Sequence, residues 1–375
     1  MPYLNIRDFG AKGDGQTDDT AALVAAMDAA SREEGTVYFP AGHYMIHPVT
    51  VPSHITLLGN SSWGYIGRDG RDPGCDGRVV LEALSGDARA FLEMEGVCGT
   101  RIIGLTLDGA HKGVRMHGIY SRHTGVEQNN CFEDCRIINF TGSGIRLDWV
   151  WVFAIRRCII MMNKEAGIDC SRGYDGWIID NQLSANGWAG LFAGDIDFDP
   201  AVSEKAGFID KHVHGMATVT VTANRIEWNK IAGVLLYHSD TMQINGCSID
   251  HNFGPSVMLV DCTAVTVTGN LMRSSGADRL DDMSCHMRLV RCKGISASAN
   301  SLHGWFGRTE HKFIAPTPFY GIVADTLVGS TVTDNAMFES CSKEAIRDYG
   351  GHTATLISDN MYTYPDLTGL KYGDD

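Results

Sequence analysis

The sequence predicts an all-β fold, a single-stranded right-handed parallel β-helix with a capping α-helix at its N-terminal end. The main observation is a twelve-residue phrase that recurs at 134–145, 157–168, 180–191, 223–234 and 246–257. Each copy has an apolar pair near its front, usually an Asn at its seventh place, and a small residue before its closing aliphatic residue. The small residues stand 23, 23, 43 and 23 residues apart, at Gly144, Gly167, Gly190, Gly233 and Ser256.

A fixed repeat in the twenties indicates stacked coils, because each coil can bury its apolar face only against its neighbours. A leucine-rich repeat has a similar period, but its Leu-x-x-Leu-x-Leu signature is absent. Val and Ile in the short segments, with Asn at the turns, favour strands joined by tight turns. We therefore expect one domain over 1–375, with a cap over 1–50, regular coils over about 100–340, and loop insertions at 195–216 and 301–319.

Composition excludes several classes of partner. A net charge of −14 over 375 residues argues against binding to a nucleic-acid backbone. No stretch approaches the roughly 20 apolar residues that span a bilayer, and the first fifteen residues lack the apolar core of a secretory signal. Eleven cysteines without a spacing pattern fit buried, reduced thiols. We therefore expect a cytoplasmic protein that binds neither nucleic acid nor membranes.

The N-terminal residues predict the cap. A helix over about 18–32 presents Ala, Leu and Val on one face, which suits the open end of a coil stack. Thr17 and Asp18 are suitable N-cap residues, and the segment 35–46 predicts the first strand pair.

Two phrases in this region carry a family resemblance. They are Asp-Phe-Gly-Ala-x-Gly-Asp-Gly at 8–15 and Val-x-Phe-Pro-x-Gly-x-Tyr at 37–44. Both resemble the opening of the pectate-lyase-like β-helix superfamily, which includes polygalacturonases, mannuronan epimerases and phage depolymerases. The resemblance implies the fold and leaves the reaction open.

Function is expected on the outward side of the strands, because successive side chains of a strand alternate between its two faces. If the aliphatic residue after each glycine points inward, two outward columns result. The first contains Tyr120, Arg146, Asp169, Phe192, Leu235, Met258 and Arg288. The second contains Arg122, Asp148, Ser171, Gly194, Tyr237, Val260 and Val290. Charge is concentrated in the central coils, which predicts that the chemistry lies there.

Asp148 and Asp169 are the predicted catalytic pair. They lie one coil and one outward step apart, which places their backbones roughly 8 Å from each other. Paired carboxylates about 5–9.5 Å apart are typical of glycosidases. Arg146 between them would hold one carboxylate ionised. The alternative is that these residues and Arg172 form a solvated charge ladder without a catalytic role.

The long interval predicts a loop that covers the same face. It adds about 20 residues after Gly194, and long insertions in compact repeats are usually functional. Asp195 is the candidate catalytic residue in this loop. The candidate binding residues there are Asp197, His212 and His214. The aspartates at 195–199 are a partial Ca²⁺ loop and the two histidines a partial zinc site. Since both patterns are incomplete, we predict no metal and no cofactor.

The second insertion contributes aromatic residues. Trp305 is the candidate glycan-binding residue there, because exposed aromatic rings stack on sugar faces. The alternative is that this loop packs against a neighbouring subunit or covers the C-terminal coils.

Three functions are compatible with these residues. The first is cleavage or rearrangement of a glycosidic bond by Asp148 and Asp169. The second is a polysaccharide lyase or uronate C5-epimerase, in which an arginine neutralises the substrate carboxylate and a Tyr or His removes the C5 proton. The third is a non-catalytic glycan-binding or structural β-helix. The residues proposed for the second are Arg122, Arg146, Arg172, Tyr237 and His238.

The layout of most of the chain is similar to that of the inulin fructotransferases and difructose-anhydride hydrolases. Four phrases carry the similarity, at 105–109, 256–262, 286–300 and 319–335. It implies chemistry at a glycosidic bond of an oligo- or polysaccharide and a homo-oligomer such as a trimer. If coils are counted from the N-terminal side, the catalytic Asp and Glu of that family correspond to Cys158 and Asp169. If they are counted from the C-terminal side, they correspond to Asn181 and Phe192.

Two other families fit less well. The Asn-Thr-Asp and Gly-His-Gly signatures of polygalacturonases are absent. Mannuronan epimerases carry Asp-Pro-His on an early strand, where this chain has Leu-Asp-Trp at 147–149. These differences favour glycosidic-bond chemistry over the epimerase reaction.

Overall fold

The computed structural model describes residues 3–33, 35–60, 79–124, 129–194, 215–277, 279, 281–304 and 317–365. It confirms the predicted fold class, because these residues form a right-handed parallel β-helix of short strands with one α-helix. None of the helices in these ranges has the length and hydropathy that a membrane crossing requires.

The strands belong to two units. Unit one comprises Met1–Asp169 and Tyr174–Gln182, and unit two comprises Cys170–Gly173 and Leu183–Asp375. A full coil contributes one strand to each of three parallel sheets, which we number I, II and III in the order in which the chain visits them. The strands Ile168–Tyr174 and Gln182–Ser184 contain residues of both units.

Unit one contains the early strands of the chain. Its sheet I consists of Tyr3–Asn5, Thr36–Tyr38, Thr56–Leu58, Arg101–Ile103, Asn130–Glu133, Phe153–Arg156 and Trp177–Ile179. Its sheet II consists of Asp14–Asp18, Gly42–Ile46, Val79–Ala83, Thr106–Asp108, Arg136–Ile138 and Ile159–Met161. Its sheet III consists of Val49–Thr50, Ala90–Glu95, His117–Thr124 and Ile145–Trp151.

Unit two repeats the same plan. Its sheet I consists of Thr220–Thr222, Gln243–Asn245, Thr266–Thr268, Ser296–Ser298, Thr331–Thr333 and Leu356–Ser358. Its sheet II consists of Arg225–Glu227, Ser248–Asp250, Leu271–Arg273, Ser301–His303, Ala336–Phe338 and Met361–Tyr362. Its sheet III consists of Ala189–Ala193, Ala232–Tyr237, Val257–Val260, Cys285–Val290, Tyr320–Asp325 and Glu344–Asp348, and a short strand, Met216–Ala217, pairs with Ile168–Tyr174.

The N-terminal helix spans Thr20–Glu33 and follows a 3₁₀-helix at Ile6–Phe9. It starts two residues later than predicted, because Asp14–Asp18 extends as a strand that pairs with Gly42–Ile46. Its buried face of Ala, Leu and Met packs against the 3₁₀-helix and the first strands of sheet I, as expected of a cap.

The residue that precedes the helix is Asp19. Its carboxylate accepts hydrogen bonds from the backbone N–H groups of Lys12 and Gly13, at 2.7 and 2.9 Å. Asp19 therefore fixes the glycine-rich turn to the start of the helix, while Asp18 accepts from Thr20 N–H at 2.9 Å.

The predicted first strand pair at 35–46 was wrong in its pairing. The segment does form two strands, Thr36–Tyr38 and Gly42–Ile46, but they lie in sheets I and II and pair with different strands. A coil turns a corner between them, so strands close in sequence are not partners in a β-helix.

The recurring phrase builds both the interior and the turns. Its front apolar residues are fully buried in each coil, among them Ile137, Ile160, Ile226 and Ile249. The asparagine at the seventh place forms a buried ladder in unit two, in which each side-chain oxygen accepts the backbone N–H of the coil before it. Asn229 accepts from Asn186 N–H at 3.1 Å, and Asn252 accepts from Asn229 N–H at 3.1 Å. These bonds satisfy buried turn groups that no strand partner reaches.

The cysteines behave as small apolar residues. Ten are free in the described part of the chain, and all of these except Cys98 are buried. Cys170 is fully buried on the inward side of its strand, in line with the expectation of buried thiols.

Candidate functional site

The outward side of sheet III in unit one collects charged residues from three neighbouring strands. The predicted columns are confirmed there, since Tyr120 is in register with Arg146, and Arg122 with Asp148. The strand before them adds Glu93 beside Tyr120 and Glu95 beside Arg122. We call the outward side chains of 89–95, 120–123 and 146–148 the charged wall.

Tyr120 lies at the centre of this wall and is 9% exposed. Three guanidinium groups surround its ring, with Cζ atoms 5.4 Å (Arg89), 5.6 Å (Arg122) and 5.7 Å (Arg146) from the ring centroid. Guanidinium groups at such distances are attracted by the negative face of an aromatic ring. The phenol therefore holds three positive charges together on one surface.

Glu95 joins a guanidinium and an imidazole. One of its carboxylate oxygens pairs with Arg122 Nη2, and the other lies 2.5 Å from His123 Nδ1. Burial raises the pKa of the Glu95 carboxyl, but the hydrogen bond from His123 and the charge of Arg122 outweigh it, so the pKa is lowered. His123 and Arg122 consequently share an ionised anchor.

A residue with a left-handed backbone brings two consecutive side chains to the outward side in each of two strands. His123 and Trp149 have left-handed backbones, with φ of 53° and 59°, and the register that pairs Arg122 with Asp148 places them side by side. The pairing keeps one register on both sides of these residues, so the kink is matched in the two strands. It puts His123 immediately after Arg122 on the wall, with its side chain 46% exposed.

Arg146 and Asp169 are in direct contact, with Nη1 2.5 Å from Oδ2. The location of Asp169 differs from the expectation of a solvent-facing carboxylate, because its side chain is 1% exposed. It is covered from the preceding coil by Arg146 and by Ser143, whose hydroxyl donates to Asp169 at 3.3 Å. Burial raises the pKa of the Asp169 carboxyl, against the opposing charge of Arg146. Asp169 thus acts as an anchor for Arg146 in this structure, and Asp148 is the more exposed carboxylate of the predicted pair.

His117 lies beneath the wall. Its ring centroid is 5.8 Å from that of Tyr120, and its Nδ1 accepts a hydrogen bond from Ser143 N–H at 2.9 Å. The side chain is buried, which lowers the pKa of His117 to about 3, with Arg146 and Arg115 adding to the effect. His117 is therefore a neutral support of the wall near neutral pH.

The other predicted residues lie elsewhere in the chain or outside its described part. Arg172, Tyr237 and His238 are partly exposed residues of unit two. The ring of Tyr237 contacts that of Phe192 edge-on, with centroids 6.3 Å apart. Five predicted residues lie outside the described residues: Asp195, Asp197, His212, His214 and Trp305.

Arg89, Glu93 and Glu95 were missed from the sequence. The recurring phrase does not extend to the coil that contains these residues. The two predicted outward columns therefore left out the strand Ala90–Glu95. The signal was present as local alternation, since Leu92 and Met94 are fully buried while Glu93 and Glu95 face outward. Across 3–33, 35–60, 79–124, 129–194 and the later described ranges, no group of three or more His, Cys, Asp or Glu side chains is arranged to hold a metal ion.

Two family models match the chain. The model for rhamnogalacturonase A/epimerase, pectate lyase-like, matches residues 3–69, and the model for the right-handed β-helix region matches residues 205–303. Both agree with the resemblance seen in the N-terminal phrases, and they support the pectate-lyase-like right-handed β-helix families.

Curated relatives are named for reactions on polysaccharides. The chain is 26% identical over 242 residues to mannuronan C5-epimerase AlgE3 of Azotobacter vinelandii, covering 61% of this chain and 12% of that protein. It is 60% identical over 198 residues to alginate lyase 7 of the same organism, covering 49% of this chain and 21% of that protein. The chain thus spans about a fifth or less of the length of these relatives. Proteins named as an epimerase and a lyase thus share sequence with a chain that lacks the Asp-Pro-His motif.

The fold is also shared with a solved structure of this kind. The A-module of mannuronan C-5 epimerase AlgE6 from Azotobacter vinelandii superimposes with a TM-score of 0.69 at 17% identity, covering 97% of this chain and all of that one.

Proposed function

We propose that the protein is an enzyme acting on an acidic polysaccharide, and that it removes the C5 proton of a uronate residue to bring about elimination or epimerisation. The observation that carries the proposal is the Glu95 carboxylate, which holds Arg122 and His123 next to each other on the charged wall. A carboxylate-binding guanidinium beside an oriented imidazole is the pair of groups that this chemistry needs. The names of the curated relatives support the same reaction class.

His123 is proposed as the general base. Its Nδ1 is engaged with Glu95, so the neutral ring carries its proton there and keeps the lone pair of Nε2 available. A base oriented by a third group is the usual arrangement for proton transfer in active sites. In the proposed step the C5 proton moves to Nε2, and the electron pair of the C–H bond passes into the adjacent carboxylate as an enolate.

Arg122 and Arg146 are proposed to bind that carboxylate. Both side chains are 22% exposed, and each pairs with a carboxylate, Arg122 with Glu95 and Arg146 with Asp169. Donors fixed before the reaction stabilise charge that develops in the transition state without reorganising. The enolate then collapses either by expelling the C4 oxygen, which takes up a proton and leaves a double bond, or by accepting a proton at C5 from the opposite face. For elimination, the Tyr120 phenol on the same wall is the proposed donor of the proton to the C4 oxygen. For epimerisation, water on the solvent side of the sugar ring is the proposed donor at C5.

The test uses two variants with matched controls. His123→Gln should lower kcat on a uronan by about 10²–10⁴-fold, the usual contribution of a general base. Arg122→Gln should raise KM and lower kcat together. His111→Gln and Arg157→Gln are the controls, because His111 is exposed on a turn and Arg157 pairs with Asp134 in another region of unit one.

The readouts separate the reactions. Ultraviolet absorbance of an unsaturated uronate detects elimination, and proton NMR of the polymer detects inversion at C5. Full activity in His123→Gln on every uronan that the wild type converts would remove His123 from the mechanism. A wild-type protein inert on all uronans would contradict the reaction class.

Hydrolysis of a glycosidic bond is the second candidate. Glu95, Arg122 and Asp148 are in register on three consecutive strands, so the backbones of the two acidic residues are roughly 10 Å apart. Inverting glycosidases hold their carboxyl groups about 6.5–9.5 Å apart. Glu95 and Asp148 thus take the place of the predicted pair, Asp148 and Asp169, because Asp169 is buried.

Mass spectrometry distinguishes the two reactions, because hydrolysis adds one water to the products and elimination adds none. If the reaction is hydrolysis, Asp148→Asn should be inactive and His123→Gln should remain active. Fructosyl transfer and a trimeric assembly remain proposals, which an anhydro product and light scattering would test.

A further inference from the structure

The strand Ile145–Trp151 ends in an aromatic group. Trp149 and Trp151 are both partly exposed, and the fully buried Val150 between them points into the coil. Tyr174 meets both indoles edge-on, with ring centroids 5.9 Å from Trp149 at 77° and 5.6 Å from Trp151 at 86°. The same strand begins with Arg146, so charged and aromatic side chains follow one another along one outward surface.

The indole of Trp151 has an unusual polar group. Its Nε1 is buried and has no hydrogen-bond partner in the part of the chain that the structure describes. Buried indole N–H groups normally donate a hydrogen bond, and an unmade one costs about 1–3 kcal/mol. This N–H is out of reach of a ligand, whereas the exposed part of the ring offers an apolar surface on which the C–H face of a pyranose can stack.

The distance from the reacting groups is also informative. His123 and Trp149 are neighbours on adjacent strands, both with left-handed backbones, which places their backbones roughly 4.8 Å apart. Trp151 lies two residues further along the strand, another roughly 6.6 Å from the wall. A ligand bound at His123 can therefore reach Trp151 only if it continues as a chain of linked sugars.

We infer that Trp151, supported by Tyr174 and next to Trp149, is a sugar-stacking subsite for a residue of the glycan chain remote from the reacting one. This inference rests on the proposed function, because it places the reacting residue at Arg122 and His123. It makes an extended oligouronate or polymer the substrate and a disaccharide a poor one.

The experiment compares three variants with the wild type. Trp151→Ala removes the ring, Trp151→Phe keeps a smaller ring, and Trp177→Ala is the control. Trp177 is 43% exposed and lies on sheet I, at Trp177–Ile179, so it has the same residue type on another face. Intrinsic fluorescence quenching gives Kd, and initial rates give KM, for oligouronates from disaccharide to octasaccharide prepared from mannuronan.

Trp151→Ala should weaken binding of the long oligouronates about tenfold, which corresponds to about 1.4 kcal/mol, and leave the disaccharide unchanged. Trp151→Phe should fall between Trp151→Ala and the wild type, and Trp177→Ala should match the wild type. Thermal unfolding followed by circular dichroism identifies a variant that no longer folds. In that case Trp151→Phe decides alone, by whether the gain in affinity with chain length is reduced.

The outcomes separate the inference from the proposed function. Wild-type chain-length dependence in a folded Trp151→Ala protein would overturn the subsite and leave the proposed function standing. A wild type that converts no uronan, but whose fluorescence is quenched by neutral oligosaccharides only when Trp151 is present, would support the subsite and overturn the uronate chemistry. Absence of quenching by oligouronates that the wild type converts would overturn the subsite and leave the proposed function standing.

Discussion

Protonation of His117 should set part of the acid sensitivity of unit one, and its size can be worked out. The side chain is 4% exposed, and burial lowers the pKa of His117 to about 3, against 6.5 for an ordinary histidine. Between these two pH values the unfolded chain binds a proton that the folded chain does not. Stability is therefore unaffected above pH 6.5 and falls as the pH drops below it, by about 1.4 kcal/mol per pH unit.

The perturbation is His117→Asn. Asn can accept the hydrogen bond from Ser143 N–H, but it has no proton to gain in this range. Its smaller volume changes the absolute stability, so the informative quantity is the change with pH. From pH 6.5 to 4.5 the wild type should lose about 2 kcal/mol more than the variant. The other titrating groups are common to both proteins and cancel in this difference.

Urea unfolding at pH 6.5 and 4.5, followed by circular dichroism, measures the two free energies of unfolding. His111→Asn is the matched control, because His111 is exposed and should keep the wild-type dependence. Parallel pH profiles for the wild type and His117→Asn would refute the argument, since they would show that the buried imidazole is not kept neutral by folding.

Two further predictions concern the coils themselves. Asn229→Ala should cost about 3 kcal/mol or more, because it removes side-chain hydrogen bonds to Leu183 O and Asn252 Oδ1, at 3.0 and 2.9 Å, and leaves buried groups without partners. Gly144→Ala should lower the free energy of unfolding by about 1–3 kcal/mol, because its Cβ would lie 2.3 Å from the Ile160 side chain in a packed interior. Urea unfolding measures both.

The partly exposed Asn245 provides a control for the ladder, and Asn245→Ala should stay within about 0.5 kcal/mol of the wild type. Equal losses in Asn229→Ala and Asn245→Ala would contradict a special role for the buried ladder. An unchanged unfolding midpoint in Gly144→Ala would show that the Ile160 side chain moves aside at no cost.

Local rules in the sequence determined the coil plan. The spacing of Gly144, Gly167 and Gly190 set the length of a coil, and the alternation after each glycine set which side chains face outward. Both are properties of single strands and turns, so they can be read without knowing what packs against them. The register of Tyr120 with Arg146 follows from the same counting, and the structure confirms it.

Only the tertiary structure decided which outward residues are accessible and which charges meet. Asp169 is outward by alternation, yet Ser143 and Arg146 of the preceding coil cover it. Glu95 became the centre of the candidate site through contacts with residues about 28 positions later in the chain. Burial and ion pairing depend on side-chain directions across stacked coils, and the repeat in the sequence carries no information about those directions.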